Sequence, residues 1–184
     1  MSYKINKKGG VSMNIVVVNY NPEWPFLFQK EADSIKEILK EELVEIHHIG
    51  STSVKNLKAK PIIDIIPVVN DIEKVDKYNH EFEKLGYDPM GEYGIKSRRF
   101  FRKGLENRTY HIHIFEVSDT FNIKRHLAVR DYLRTHPEKA HEYGELKQEL
   151  ANKYPYDIEE YCLGKDSFVK ELERNAVNWY NQKK

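Results

Sequence analysis

His48-Ile49-Gly50-Ser51-Thr52-Ser53 and, a few residues on, Lys60-Pro61-Ile62-Ile63-Asp64-Ile65 decide how this chain is read. Val44 to Ile49 predicts a strand, and Gly50 to Ser53 the loop that ends it. Pro61 to Val69 is a nearly continuous Ile and Val run, which predicts a strand buried on both faces. A Gly-Ser turn after a strand can offer backbone N–H groups and a hydroxyl to phosphate oxygens. Asp64 interrupts the apolar run, and an unpaired buried carboxylate is costly. It calls for a metal, a cation or a strong hydrogen-bond donor. The plainer alternative is a pairing of Asp64 with Lys60 or an arginine, with Ser51 and Thr52 capping a turn.

Toward the N-terminus, Asn21-Pro22-Glu23-Trp24-Pro25 is turn chemistry that leads into a helix. Phe26, Phe28, Ala32, Ile35, Ile38 and Leu39 recur at near-helical spacing to about Leu43. Asn14 to Val18 begins another strand-like run. Residues 1–12 are polar, contain Gly9-Gly10 and stop short of a second methionine, Met13. Lys-Gly-Gly shortly before a methionine is what a purine-rich ribosome-binding site encodes when translated in frame. Met13 is therefore expected as the native start, with residues 1–12 a disordered or misannotated extension.

Toward the C-terminus, Asp71 is placed to cap a helix from Ile72 to Leu85 that ends at Gly86. Strands are expected over Ser97–Lys103 and Thr109–Val117, joined as a hairpin through residues 104–107. Helical patterning begins at Phe121. One helix runs to about Thr135, a second starts at Pro137, and a last follows Asp157 with Tyr161, Phe168, Leu172, Ala176 and Trp179. The expectation is one domain over residues 13–184, a sheet half at about 14–118 and a helical half at about 119–184.

The chain has 184 residues, 30 Lys and Arg against 29 Asp and Glu, and a formal charge of +1. That balance argues against a dedicated duplex-DNA binder, which carries a clear basic excess. The lone Cys162 excludes an internal disulfide framework and any multi-cysteine zinc site within the chain. No apolar run approaches a membrane span, and the N-terminus lacks a signal-peptide core, so a cytoplasmic location is expected. Dropping residues 1–12 removes Lys4, Lys7 and Lys8 and no acid, taking +1 to −2. A local positive cleft on a mildly acidic protein suits a small phosphorylated ligand better than a polymer.

Three further clusters can carry chemistry. On a strand, His111 and His113 share a face, while Glu116 points the other way. Two such imidazoles can share a divalent metal; a surface pair, or a pair hydrogen-bonded to its neighbours, is the ordinary alternative. Arg98, Arg99, Arg102, Lys103 and Arg108, with Phe100 and Phe101 between them, suit triphosphate recognition through bidentate hydrogen bonds, although such runs are usually a solvated face. His126, Arg130 and Arg134 fall at i, i+4 and i+8, and Tyr143 and Lys147 at i, i+4. Each set can line a cleft between the two halves.

These blocks resemble the GrpB-like family, a bacterial family related to the polymerase-β-like nucleotidyltransferases. The resemblance runs from about Ile15 to Trp179. Tyr20-Asn21-Pro22-Glu23-Trp24, the Gly50-Ser51 and Asp64 blocks, Arg98-Arg99-Phe100-Phe101, His111-Ile112-His113 and Arg130 to Glu138 carry it. It implies an α+β, nucleotidyltransferase-like mixed sheet with flanking helices, followed by a helical C-terminal half. The superfamily pattern is Gly-Ser, then a strand with two alternate carboxylates, then a third on a neighbouring strand. Asp64 fits the first acidic position, but the second is Ile66, and the third falls where His111 and His113 stand.

Two-metal transfer needs oxygen ligands around two hard cations roughly 3.5–4 Å apart. Asp64 alone cannot hold such a pair, whereas Asp64 with His111 and His113 makes a one-ion set.

The resemblance implies a nucleotidyltransferase-like protein. Ser51 and Asp64 would be catalytic, and Gly50, Ser51, Thr52, Lys60, Arg98 and Arg99 would hold the nucleotide. Asp64, His111 and His113 would bind a divalent metal (Mg, Mn or Zn), and Arg130, Tyr143 and Lys147 a small acceptor. The alternatives are a nucleotide- or coenzyme-binding module without turnover, or a metal-dependent phosphodiester hydrolase. Some relatives are fused to dephospho-coenzyme A kinase, which implies a link to coenzyme A synthesis.

Overall fold

The computed structural model describes residues 14–104 and 107–183. The expectation for residues 1–12 and Met13, and the middle of the turn at 104–107, lie outside them.

Among the described residues, five strands form one mixed sheet: β1 (Leu43–Ile49), β2 (Ile63–Val69), β3 (Tyr87–Pro89), β4 (Arg99–Lys103) and β5 (Tyr110–Glu116). Their order across the sheet is β1-β2-β5-β4-β3. Only β2 and β5 run parallel, with Asp64 opposite His111; the other neighbours are antiparallel. The helices are α1 (Trp24–Leu39), α2 (Asn79–Lys84), α3 (Thr120–Thr135), α4 (Pro137–Lys153) and α5 (Ile158–Gln182). The fold is α+β, a mixed sheet with flanking helices followed by a helical C-terminal half.

Strand alternation sorts the core into two layers. Ile63, Ile65, Val69, Ile112, Ile114, Phe101 and Tyr87 face one way and bury against Trp24, Ile35 and Leu39 of α1 and against Phe82 of α2. Ile49, Ile66, Val68 and Phe115 face the other way, where Ile123 and Leu127 of α3 cover them. Asp119 and Asp157 cap α3 and α5, accepting from Asn122 N and Glu160 N at 3.1 Å each.

Three elements depart from the sequence expectations. Ile15 and Val17 are buried against Leu150, Ala151 and Tyr161 of the C-terminal helices, not in the sheet. The alternating run thus finds its apolar partner on the helices, and only a Val18–Ala59 bridge forms there. The expected helix 72–85 is a 3₁₀ segment over Glu73–Tyr78 followed by the short α2. Ile72 and Val75 are buried and Tyr78 packs beside them, a three-residue spacing that matches a 3₁₀ repeat. Asp71 Oδ1 accepts from Glu73 N at 3.0 Å, so the cap is where the sequence placed it. The short edge strand β3 was not expected at all.

Candidate functional site

The β1–β2 connection is pinned from inside. His48 stacks on Phe28 of α1 with ring centres 4.7 Å apart. The Thr52 hydroxyl donates to Ile62 O at 3.3 Å and therefore accepts from His48 Nε2 at 3.0 Å. Burial, with Arg134 and Arg130 nearby, lowers the His48 pKa to about 4 against the opposing pull of Asp64, so the ring is neutral. Arg134 donates to Ser53 O at 3.0 and 2.9 Å, and Arg130 to His48 O at 3.3 Å. Helix α3 thus clamps the turn by its backbone carbonyls.

Gly50 has φ +68°, and a Cβ there would stand 2.7 Å from Asp64 Oδ2. The position requires glycine twice over, for its left-handed backbone and for the carboxylate pressed against it. That contact joins the Gly-Ser turn to the acidic strand as one unit.

A cavity of about 270 Å³ opens at this junction, lined by Gly50, Ser51, Thr52, Lys60, Asp64, His111, Tyr143, Lys147, Tyr161, Cys162 and Lys165. Lys147 is only 4% exposed, and its Nζ donates to Ser51 Oγ at 2.7 Å. The same ammonium lies 4.3 Å from the Tyr143 ring centre. Burial first, then Lys165 and Lys60, lower its pKa to about 7, Asp64 pulling the other way. Burial also lowers Lys60, whose Nζ sits 5.3 Å over the Tyr161 ring. One buried and two half-buried lysines lining a single cavity, opposed by one carboxylate, are stabilised by an anion.

Asp64 Oδ1 is 3.4 Å from both His111 Nδ1 and His113 Nε2. Burial would raise the Asp64 pKa, but the hydrogen bonds from the two imidazoles prevail and hold it well below the usual carboxylate range. The three side chains offer atoms within 4.8 Å of one another, a grouping that could hold one metal ion. Arg98 Nη1 donates to His113 Nδ1 at 3.3 Å, which leaves the His113 proton on the nitrogen facing Asp64. Among the described residues His111 Nε2 is buried without a hydrogen-bond partner, on the side of its ring away from Asp64. The cluster has the spacing of a one-ion site, and Arg98 bears on one of its three donors, His113.

The remaining residues that the sequence nominated fall as follows. Thr52, Lys60, Tyr143 and Lys147 line the cavity, and Lys147 also bonds Ser51 of the Gly-Ser turn. Arg130 does not line it and instead holds His48 O and Asp131. Arg99 points to the opposite sheet face, where Asp76 takes its guanidinium at 2.6 and 2.8 Å. Lys165, Tyr161 and Cys162 were overlooked. Tyr143-Lys147 and Tyr161-Lys165 are both Tyr–Lys pairs at i, i+4 on successive helices, and that repetition was the available signal.

The profile of the family described as GrpB protein matches residues 14–175. The chain belongs to the GrpB family. The UPF0157 protein YqkA of Bacillus subtilis is 44% identical over 165 residues, 90% of this chain. The match is 48% of YqkA, so the chain spans about half the length of that relative. A crystal structure of the conserved GrpB protein from Enterococcus faecalis is 48% identical, with TM-score 0.88 over 90% of this chain and 99% of that one. A dephospho-CoA kinase of Mycolicibacterium paratuberculosis is 21% identical over 184 residues, 86% of this chain and 45% of that protein. Among the described residues, no helix of this GrpB-family chain is long and apolar enough to cross a membrane.

Proposed function

We propose that this chain binds a nucleotide or coenzyme polyphosphate in the lysine-lined cavity at Gly50 and Ser51 and holds it without turnover. The observation that carries this reading is Lys147, buried and bonded to Ser51 Oγ at 2.7 Å, with Lys60 and Lys165 in the same cavity. Lys147 bonds the turn hydroxyl, while Lys60 and Lys165 flank the Tyr161 ring in the same cavity. They supply the positive charge that two cations provide in metal-assisted phosphoryl transfer. Charge-assisted hydrogen bonds to phosphate oxygens would satisfy amines that burial otherwise leaves costly.

Nucleotidyl transfer to a small acceptor has less support. It would draw on a second carboxylate, and that position is Ile66, fully buried beneath α3. Metal-dependent phosphodiester hydrolysis meets the same obstacle. The dephospho-CoA kinase likeness favours coenzyme precursors among the ligands.

Calorimetry in EDTA with ATP, GTP, CTP, UTP and dephospho-coenzyme A tests the reading, followed by the same series with Mg²⁺, Mn²⁺ or Zn²⁺. Saturable heat in EDTA is expected, weakened about tenfold or more in Lys147→Ala, the equivalent of about 1.4 kcal/mol. No heat with any ligand, with or without metal, removes it. Recovery of a transferred or hydrolysed product after long incubation replaces it with an enzyme.

A further inference from the structure

We propose that Arg98 is a positioning residue that fixes His113 as an N–H donor to Asp64, so that the cluster braces a carboxylate and excludes a divalent ion. A guanidinium has five N–H donors and no acceptor. The nitrogen it approaches, His113 Nδ1, must therefore present a lone pair. Arg98 Nη1 stands 3.3 Å from that nitrogen. A neutral imidazole carries one proton, which leaves it on Nε2, 3.4 Å from Asp64 Oδ1.

Metal-binding histidines show the opposite arrangement. Their second nitrogen donates to a carbonyl or carboxylate, which leaves the ligating nitrogen bare. His126 on α3 is arranged that way, with Nδ1 donating to Asn122 O at 2.7 Å, but it stands outside the Asp64 cluster. For His113 to ligate an ion, Arg98 would have to leave. Arg98 is 6% exposed, donates to Glu92 O at 3.2 Å and Tyr93 O at 2.7 Å, and lies 4.8 Å from the Phe100 ring centre. It is held on every side that would let it swing away.

The consequence is a role for Asp64 that needs no metal. Oδ1 is engaged by the imidazoles, whereas Oδ2 faces the Gly50 turn at the cavity wall. A carboxylate braced in this way accepts a hydrogen bond from a hydroxyl or amino group of the ligand whose phosphates the lysines hold. The lock is the same whichever anion those lysines take, so it and the ligand reading fail independently.

Two measurements on the full chain test it. Long-range ¹H–¹⁵N correlation of labelled histidines should show His113 protonated at Nε2 and bare at Nδ1; a proton on Nδ1 overturns the proposal. In calorimetry with Zn²⁺, Mn²⁺ or Ni²⁺ alone, the unaltered chain and Asp64→Asn should titrate alike. Arg98→Met should gain at least about tenfold in affinity for Zn²⁺, lost again when His113→Gln is added. One equivalent of metal held by the unaltered chain in an Asp64-dependent way overturns it, as does a folded Arg98→Met that gains no ion. If Arg98→Met does not fold, the tautomer of the unaltered chain decides.

Discussion

Asp64 and Ile66 stand one pleat apart on the same face of the same strand, and they meet opposite environments. Around Ile66 lie Ile49, Val68 and Phe115, roofed by Ile123 and Leu127 of α3. Around Asp64 lie two imidazoles, a glycine turn and three lysines from outside the sheet's apolar layer. The backbone repeat is identical at both positions, so the difference comes from what covers them. Helix α3 closes one end of the face, whereas α4 and α5 meet the other end with the Tyr143–Lys147 and Tyr161–Lys165 pairs. Ile66 is fully buried and Asp64 partly so, and what separates core from site is the partners each one meets.

The sharpest way to break that contrast is Ile66→Asp, which restores an acidic residue where α3 packs. Ile66 is fully buried and has no cation beside it in its apolar cluster. An unpaired buried carboxylate there should cost about 4 kcal/mol or more, among the largest single-site effects. Urea denaturation reads this as a large fall in midpoint, partly recovered at acid pH where the carboxyl neutralises. A fully stable Ile66→Asp that binds Mg²⁺ would mean α3 yields, and the two ends of the face would then not differ as described.

The sequence disclosed this contrast unevenly. The strands β1, β2, β4 and β5 and the four long helices α1, α3, α4 and α5 were legible, because their periodicity and turn signals are local. The interruption of an Ile/Val run by Asp64 was legible as a demand for a partner. Which partner answered was not, since His111 and Lys147 reach Asp64 and Ser51 through the sheet register and helix packing. The Ile15–Val18 run misled for a related reason. Alternation requires an apolar surface, and helices supplied it as well as a sheet would. Arg98 and Arg99 were read together as phosphate ligands, yet strand alternation separates them.

Gly50→Ala probes the joint between turn and acid. A methyl group would stand 2.7 Å from Asp64 Oδ2, on a backbone at φ +68°. The two strains together should cost about 1–3 kcal/mol and displace the carboxylate. Thermal unfolding should register the loss, and phosphate-ligand affinity should fall with it. An unchanged melting temperature would show that turn and carboxylate are not coupled.

A smaller effect comes from the proton on Lys147. Burial and the neighbouring lysines lower its pKa to about 7, so in the empty cavity it loses its proton as pH rises through neutrality. A bound phosphate favours the charged amine and raises that pKa. Binding above about pH 7 therefore requires proton uptake, and affinity should fall by up to about tenfold per pH unit until the bound-state pKa is reached. Calorimetry in buffers of different ionisation enthalpy should register the uptake. Lys147→Met should bind more weakly and lose this pH slope; a slope that persists would assign the proton to another group.

The smallest effect belongs to Arg99, and it separates the two adjacent arginines. Its guanidinium pairs with Asp76, whose side chain is half exposed, across the face away from the cavity. Such a pair contributes about 0.5–1 kcal/mol at most. Arg99 holds the Asp76 pKa below the ordinary carboxylate value, so that contribution is present above that value and fades as pH falls below it. Arg99→Ala should lower stability slightly at neutral pH, leave ligand affinity unchanged and leave the His113 tautomer intact. Arg98→Met, one residue earlier, should alter the tautomer and the metal response. If Arg99→Ala shifted either, the two sheet faces would be coupled through β4, and the assignment of one arginine to the site and its neighbour to the scaffold would not stand.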